Sequence, residues 1–481
     1  MPEWAAAPAA WLILIPLLWA TLAFLFGPRW GGRFALFGIT VQSLCAMQLV
    51  AALDSGVTQV LPVGGWSAPL GIELHVDGLA ALMLLLTQVV ALPLMLYTRA
   101  WLGAADRAAG YVWPLCGFML AALHALFLAA DLFNVYVALE LLGLCAVALV
   151  AGDGKPQQLR AALHYLLVSL LAAAAYLLGV ALFYAAYGTV SIATLVAVMD
   201  AQPPFAVVLA GTLMLVGLMA KTALFPFHFW LPPAHGSAPA PASALLSALV
   251  VKASFYVILR LRLTVFAEGD LTLDWLLAGC GGAAILYGSW RAFRCAELKM
   301  LIAYSTVAQL GYLFLIFPLL DTRELALAAA ALQMVAHALA KAALFAAAGI
   351  VLVATGRDSV AALAALAGRL PVTWFAFGLA AVTLMGLPPS GGFLAKWLLI
   401  DAAVAGEYWL MVGLIISGGL LGAAYLFRIL KRAFAPQASA AVLKPVPRIM
   451  EWMAFLLAAA SVVIGIEATA IVEILGLVGS T

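Results

Sequence analysis

Charge is scarce in this chain. Only 9% of its 481 residues are Asp, Glu, Lys or Arg, while 67% are hydrophobic. So little charge cannot cover a water-facing surface, which excludes an ordinary soluble domain and points to a polytopic membrane protein. Cysteine is also scarce. The five cysteines, Cys45, Cys116, Cys145, Cys280 and Cys295, form no CxxC pair. Four of them fall in apolar stretches, so they read as small buried residues rather than metal ligands or disulfide partners. Iron–sulfur, haem, nucleotide-binding and P-loop motifs are all missing. No cofactor and no metal is therefore expected, and the energy for any work must come from an ion gradient or from partner subunits. The first apolar segment follows Met1-Pro2-Glu3 with no basic stretch ahead of it, so no cleavable signal is expected. The net charge of +2 names no partner, and nucleic acid is not expected among them.

What the chain has in abundance is apolar segments of about 20 residues, long enough to cross a bilayer as helices. We count fourteen, near 9–27, 33–53, 77–97, 111–130, 132–151, 160–187, 204–225, 240–260, 272–290, 300–320, 325–353, 372–398, 408–430 and 452–475. The fold class is therefore an all-α polytopic membrane protein. Between the second and third spans, short β-branched runs around Gly64-Gly65 predict a hairpin over 56–76. Lysine and arginine divide unevenly between the two sets of loops. Sixteen of the 23, including Arg29, Arg99, Arg107, Lys155, Arg160, Arg291, Arg294, Lys299, Arg428 and Lys431, fall on one side. Arg260, Arg262 and Arg323 fall on the other, with acidic residues such as Asp54, Asp200, Asp270 and Asp274. The basic side should be cytoplasmic, which puts both termini outside.

Four lysines remain, and all lie inside spans: Lys221, Lys252, Lys341 and Lys396. Ionisable groups at bilayer depth usually line an ion path or pair with another charge. Lys221 ends the seventh span, and Pro226 breaks the chain five residues later, which deprives carbonyls near Lys221 of their donors. Those carbonyls could hold water or the ammonium group. Glu140 sits nine residues into the fifth span, and a carboxylate beside an intramembrane lysine governs whether that lysine keeps its proton. A Glu140–Lys221 pair would be a proton switch; a static buried ion pair is the plainer reading. Asp131 should cap the same helix. His228 and His235 lie in the loop after Pro226, while Ser243 and Ser247 lead to Lys252. His337 and Lys341 share one helix face at i,i+4 spacing. The twelfth span is interrupted at GLPPSGG (386–392) before Lys396, so two interrupted helices each accompany a lysine. Such pairs mark internal repeats and the ion site. The resulting division is 1–110 for three peripheral helices, 111–262 and 263–432 for two inverted five-helix repeats, and 433–481 for the last helix.

Several long motifs carry a resemblance: DLFNVYVALE, KTALFPFHFWLPPAH, SAPAPASALLSALVVK, AYSTVAQLGY, HALAKAALF and GLPPSGGFLAKW. Together, over about residues 75–430, they resemble the antiporter-like proton-translocating subunits. That superfamily spans respiratory complex I, membrane-bound hydrogenases and Mrp-type Na+/H+ antiporters; length and the GLPPSGGFLAKW form look most like the D-type component of the Mrp antiporter. The resemblance implies a bacterial inner-membrane subunit of a hetero-oligomeric Na+/H+ or K+/H+ antiporter, beside other membrane subunits and a larger antiporter-like chain. It implies protons passing along a hydrated axis through Glu140, Lys221, Lys252, His337, Lys341 and Lys396, with His228, His235 and Ser247 as secondary path candidates. It implies a secondary transporter subunit rather than an enzyme. The alternatives are a proton-pumping component of a redox complex, a component of an inorganic-carbon uptake system, and a non-conducting scaffold whose charges only fix helix register.

Overall fold

A computed structural model describes residues 7–53, 58–68, 71–103, 108–199, 202–266, 271–436 and 443–477. Asp54, Arg107, Asp200 and Asp270, used above to orient the chain, lie outside the described residues. The architecture is helical throughout. The first half runs α1 (Ala7–Phe26), α2 (Pro28–Ala51), α3 (Gly78–Leu102), α4 (Ala109–Leu128), α5 (Leu132–Ala151), α6 (Pro156–Tyr187), α7 (Ile192–Val198), α8 (Phe205–Thr222), α9 (Leu231–Ser237), α10 (Ala240–Leu245) and α11 (Val251–Leu263). The second half runs α12 (Leu271–Arg294), α13 (Leu298–Phe314), α14 (Arg323–Thr355), α15 (Pro371–Met385), α16 (Gly391–Ala405), α17 (Trp409–Phe434), α18 (Arg448–Ile466) and α19 (Ala468–Ile474). Among the described residues, 12 helices are long and apolar enough to cross a membrane. The α12 helix and the α15–α16 pair supply the other two spans read from the sequence. The hairpin is present, with β1 (Gln59–Pro62) antiparallel to β2 (Glu73–Val76).

Local chemistry sets the helix ends. Asp77 and Asp131 cap α3 and α5 by accepting from the Ala80 and Asn134 amides at 2.9 and 2.7 Å. The α8 helix stops at Ala223, whose left-handed backbone (φ 58°) is costly for a residue with a Cβ. The α15 helix stops in the same way at Gly386 (φ 80°), and Ser390 then caps α16. The twelfth span is therefore two helices meeting at a loop, and the second continues to Ala405, past the expected limit of 398. Helix α3 also departs from expectation. Helices α1 and α2 leave large exposed faces, whereas α3 is buried along most of its length and its Tyr97 hydroxyl donates to Ala346 O of α14 at 2.9 Å. Peripheral packing does not describe it.

The two halves repeat one contact. Beside the start of α5, Leu132 N donates to Val190 O and Ile192 N to Ala130 O, an antiparallel bridge between Asp131 and Ser191. Beside the start of α13, Leu298 N donates to Asp358 O and Val360 N to Ala296 O, bridging Glu297 and Ser359.

Backbones approach closely where glycine allows it, as in membrane helix pairs generally. A Cβ on Gly217 of α8 would lie 2.4 Å from Ala172 O of α6, and one on Gly311 of α13 would lie 2.3 Å from Gly281 O of α12. At Gly465 of α18 a Cβ would lie 2.2 Å from Pro389 O, in the loop that breaks the twelfth span. Gly465→Val should therefore destabilise the protein by ~1–3 kcal/mol through overpacking. A thermal midpoint lowered by a few degrees in detergent is the expected result; an unchanged midpoint would mean that the loop yields without strain.

Candidate functional site

The capped start of α5 carries Glu140 into the bundle beside the last turn of α8. Lys221 Nζ donates to Glu140 Oε1 at 3.0 Å and to Ser169 Oγ of α6 at 3.1 Å. The two side chains of the ion pair are only 7% and 20% exposed. The expected pair thus forms, but the carbonyls freed by the proline break do not hold the ammonium. Ala220 O instead accepts from Trp230 Nε1 at 2.9 Å. Ser169, a hydroxyl in an apolar helix, carried no signal in the sequence.

Lys252 is fully buried. Residues Leu246–Val250 form a π-helical turn ahead of it, and Lys252 Nζ donates to Ser247 O at 2.9 Å. Such turns are frequent at functional sites because they present a carbonyl that a regular helix would use itself. The Ser247 side chain does not reach the lysine and bonds Thr306 Oγ1 at 2.9 Å. Ser243 is likewise satisfied by carbonyls, at 2.7 Å to His235 O.

Across the bundle, Lys341 Nζ of α14 donates to Ile302 O at 2.9 Å and to Ser305 Oγ. His337, one turn earlier, is buried and neither ring nitrogen has a partner. The charges of Lys252, Lys341 and Lys396 all act on it. Lys396 Nζ donates to Leu384 O at 2.6 Å and lies 4.8 Å from the centre of the Tyr312 ring. Leu384 O also accepts from Gln309 Nε2, and Gln333 Nε2 donates to Gln309 Oε1 at 3.3 Å. Gln309 belongs to the polar AYSTVAQLGY insertion, whereas Gln333 stood alone in an alanine-rich run and drew no notice. The two broken helices use their lysines differently: Lys221 precedes its break and meets a carboxylate, while Lys396 follows its break and rests on a carbonyl and an aromatic ring.

His235 joins this centre. It is buried with Nδ1 unpartnered, and the charges of Lys299, Lys341 and Lys252 act on it. His228 stands apart, stacked on Phe225 at 5.3 Å and edge-on to Tyr287 at 4.8 Å, with Arg291 its charged neighbour. One buried lysine escaped the sequence reading. By sequence Lys299 belongs to the basic flank with Arg291 and Arg294, yet it is 3% exposed and its Nζ donates to Ala238 O. The Lys299 amide donates to Asp358 Oδ1 at 3.2 Å. Burial pushes the Asp358 carboxyl up to about 6, against the opposing pull of that amide and of the Lys299 charge.

Two half-open cavities, each about 460 Å3, lie near the line of buried groups. One is lined by Arg160, His164, Pro233, Glu297 and Met300, and Met300 packs against Gly236, next to His235. The other is lined by Asp77, Arg260, Glu324 and Met334. Met334 is one turn before His337, and Lys252, Tyr256 and Arg260 follow one another along one face of α11. Arg260 Nη2 donates to Asp77 Oδ1 at 2.8 Å. Burial alone would raise the Asp77 carboxyl, but hydrogen bonds from Arg260 and His75 hold it well below the usual carboxylate range. Among the described residues, no three His, Cys, Asp or Glu side chains converge to hold a metal ion. The arrangement is a chain of proton-binding groups in a helical interior: Lys221 meets a carboxylate, Lys252, Lys341 and Lys396 rest on carbonyls, and His337 has no partner.

Comparison with known proteins gives concordant results. Residues 129–422 match the membrane family described as "NADH:quinone oxidoreductase/Mrp antiporter, TM". A relative from Desulforudis audaxviator, named as the N subunit of NADH-quinone oxidoreductase, is 36% identical over 91% of this chain and 89% of its own length. A relative from Alkalihalophilus pseudofirmus, named as the D subunit of a Na(+)/H(+) antiporter, is 29% identical over 88% of this chain and 86% of its own. A chain of the Mrp complex from Dietzia sp. superposes with a TM-score of 0.91 at 25% identity, covering 99% of this chain and 97% of that one.

Proposed function

The chain belongs to the NADH:quinone oxidoreductase/Mrp antiporter family of membrane proteins, and from that premise we propose that it is the proton-translocating subunit of a multisubunit monovalent cation/H+ antiporter. The observation that carries this reading is the run of buried ionisable groups from Glu140 and Lys221, through Lys252, His337 and Lys341, to Lys396. Burying an amine without a carboxylate is unfavourable and adds nothing to packing. Repeating it at Lys252, Lys341 and Lys396 has a rationale if the amines pass protons. In this reading Glu140 sets the protonation of Lys221, Lys252 is the central relay, and His337 bridges between Lys252 and Lys341. Lys396 faces the exit or a neighbouring subunit. His235 and Ser247 line the path. The cavity beside Arg160 and His164 is the inner mouth, and the cavity beside Arg260 and Met334 is the outer one.

The matching bridges at Asp131–Ser191 and Glu297–Ser359 support two inverted repeats, 111–262 and 263–432, flanked by 1–110 and 433–481. With the arginine-rich loops in the cytoplasm of a bacterial cell, alternation of the spans puts one bridge on each membrane face and both termini outside. Cation passage is assigned to other subunits, because among the described residues no carboxylates converge into a cage. The transported ions are H+ and Na+ or K+.

A redox-driven pump is the second reading, favoured by the 36% identity to the N subunit of an NADH-quinone oxidoreductase. Its ion path would be the same and its driving force would come from electron transfer in partner subunits. Mass spectrometry of what co-purifies with the chain in mild detergent separates the two. Small hydrophobic subunits with a larger antiporter-like chain are expected. Iron–sulfur, nickel or flavin proteins in the same complex would overturn the antiport reading.

A further inference from the structure

The two faces of this protein treat arginine differently. On the face with few basic residues, Arg260 is paired with Asp77 and Arg262 with Asp274, its Nη2 2.8 Å from Oδ2. On the arginine-rich face a half-open cavity of about 510 Å3 lies between the end of α12, the α14–α15 connection and the last turns of α17. Arg294, Cys295, Ser359, Arg428, Lys431 and Arg432 line it. Four of these six side chains are cationic, and among the described residues none of the four has a carboxylate partner. Glu297, the next acidic residue along the chain, lines a different cavity, and Asp358 lies beside the Lys299 amide.

The fold holds two of these cations in place with neutral groups. Arg428 donates to Phe293 O and Cys295 O, and Arg432 donates to Ala361 O at 3.0 and 3.2 Å. Each guanidinium keeps further N–H donors. Arg428, Lys431 and Arg432 sit at i, i+3 and i+4, so one helix face presents all three. Four positive charges around one hollow, two of them held in place by carbonyls, leave an electrostatic deficit that an anion corrects. Phe293, Phe427 and Phe434, within two residues of these cations in sequence, are exposed. In a membrane protein such side chains lie against acyl chains. The ligand that suits both features has phosphates at one end and hydrocarbon at the other.

We propose that this cavity is a binding site for the headgroup of an anionic phospholipid, with Arg294, Lys431 and Arg432 contacting its phosphates and the acyl chains lying along α12 and α17. Basic pockets between helices on the cytoplasmic side of membrane proteins recognise such headgroups through charge-assisted hydrogen bonds. A diphosphate lipid matches four cations better than a single phosphate does, which makes cardiolipin the probe of choice.

The test is native mass spectrometry of the assembled complex, delipidated in mild detergent and titrated with cardiolipin. Phosphatidylcholine and inorganic phosphate are titrated in parallel. The wild-type complex should hold cardiolipin in preference to phosphatidylcholine, and Lys431→Gln/Arg432→Gln should weaken that retention at least tenfold. The charge-conserving Lys431→Arg/Arg432→Lys variant should keep it, which separates loss of charge from loss of fold. Equal cardiolipin retention by the Gln variant would overturn the proposal. So would full displacement of the lipid by inorganic phosphate, which would make this a soluble-anion site. Loss of a neighbouring subunit from the Gln variant would also overturn it, because a protein would then cover this face.

Discussion

Replacing Lys221 by alanine is expected to bring cation-driven proton transport by the assembled complex down to background. The readout is the pH gradient dissipated in vesicles when the counter-cation is added. The ammonium is the partner of Glu140 at 3.0 Å, so its loss leaves a carboxylate with 20% exposure facing apolar helices. Removing one member of a buried pair typically destabilises by ~3–5 kcal/mol, because the other charge is left uncompensated. Loss of transport alone would therefore not separate a relay from a scaffold. The double variant Glu140→Gln/Lys221→Met separates them. It removes both charges, keeps both volumes and can return to near wild-type stability. A scaffold would then work again, whereas a relay would stay silent. Recovery of transport in the double variant, or normal transport by an assembled Lys221→Ala complex, would sink the mechanism.

Lys252→Met should have effects of opposite sign on function and on stability. The Lys252 amine is fully buried and donates to Ser247 O, and among the described residues no carboxylate pairs with it. Methionine fills nearly the same space with no charge and no polar hydrogen, and swaps of conserved volume are well tolerated in cores. Lys252→Met should be as stable as the wild type or more stable, by on the order of 1 kcal/mol, read as an unchanged or raised thermal midpoint. Transport should fall at least tenfold, because the π-helical turn then presents its carbonyl to a group that cannot carry a proton. A variant that transports normally would leave Lys252 outside the path. A variant that fails to assemble would show that the amine is a structural group.

The intramembrane lysines and Glu140 were legible because a charge inside an apolar run is conspicuous. The breaks were legible because proline and glycine interrupt a hydropathy pattern. The carbonyls that hold Lys252, Lys341 and Lys396 could not be read, because every residue has one and the fold alone decides which is free. Lys299 was misplaced for a similar reason. It stands close to two surface arginines, and only the approach of Ala238, some 60 residues earlier, removes it from water. Ser169 and Gln333 were overlooked because a single polar residue in a span is ordinary. The burial of α3 left no trace, since an apolar helix facing lipid and one facing protein have the same composition. The matching bridges at Asp131–Ser191 and Glu297–Ser359 are backbone features, invisible to any reading of side chains.

The glycine contacts bear on how such a protein can move. Helices that touch backbone to backbone at Gly217–Ala172 and Gly311–Gly281, with α18 seated on the loop at Pro389, have no slack for sliding. Sliding of helices within either half would separate these seams, which are held by dispersion and shape rather than by adaptable side chains. The freedom left in the interior belongs to long amines, to an imidazole without partners and to whatever water enters beside them. A cycle built on those elements proceeds by rotamer changes and rewetting inside a static frame. Its speed would then respond to water activity and isotopic substitution far more than to the stiffness of the surrounding bilayer.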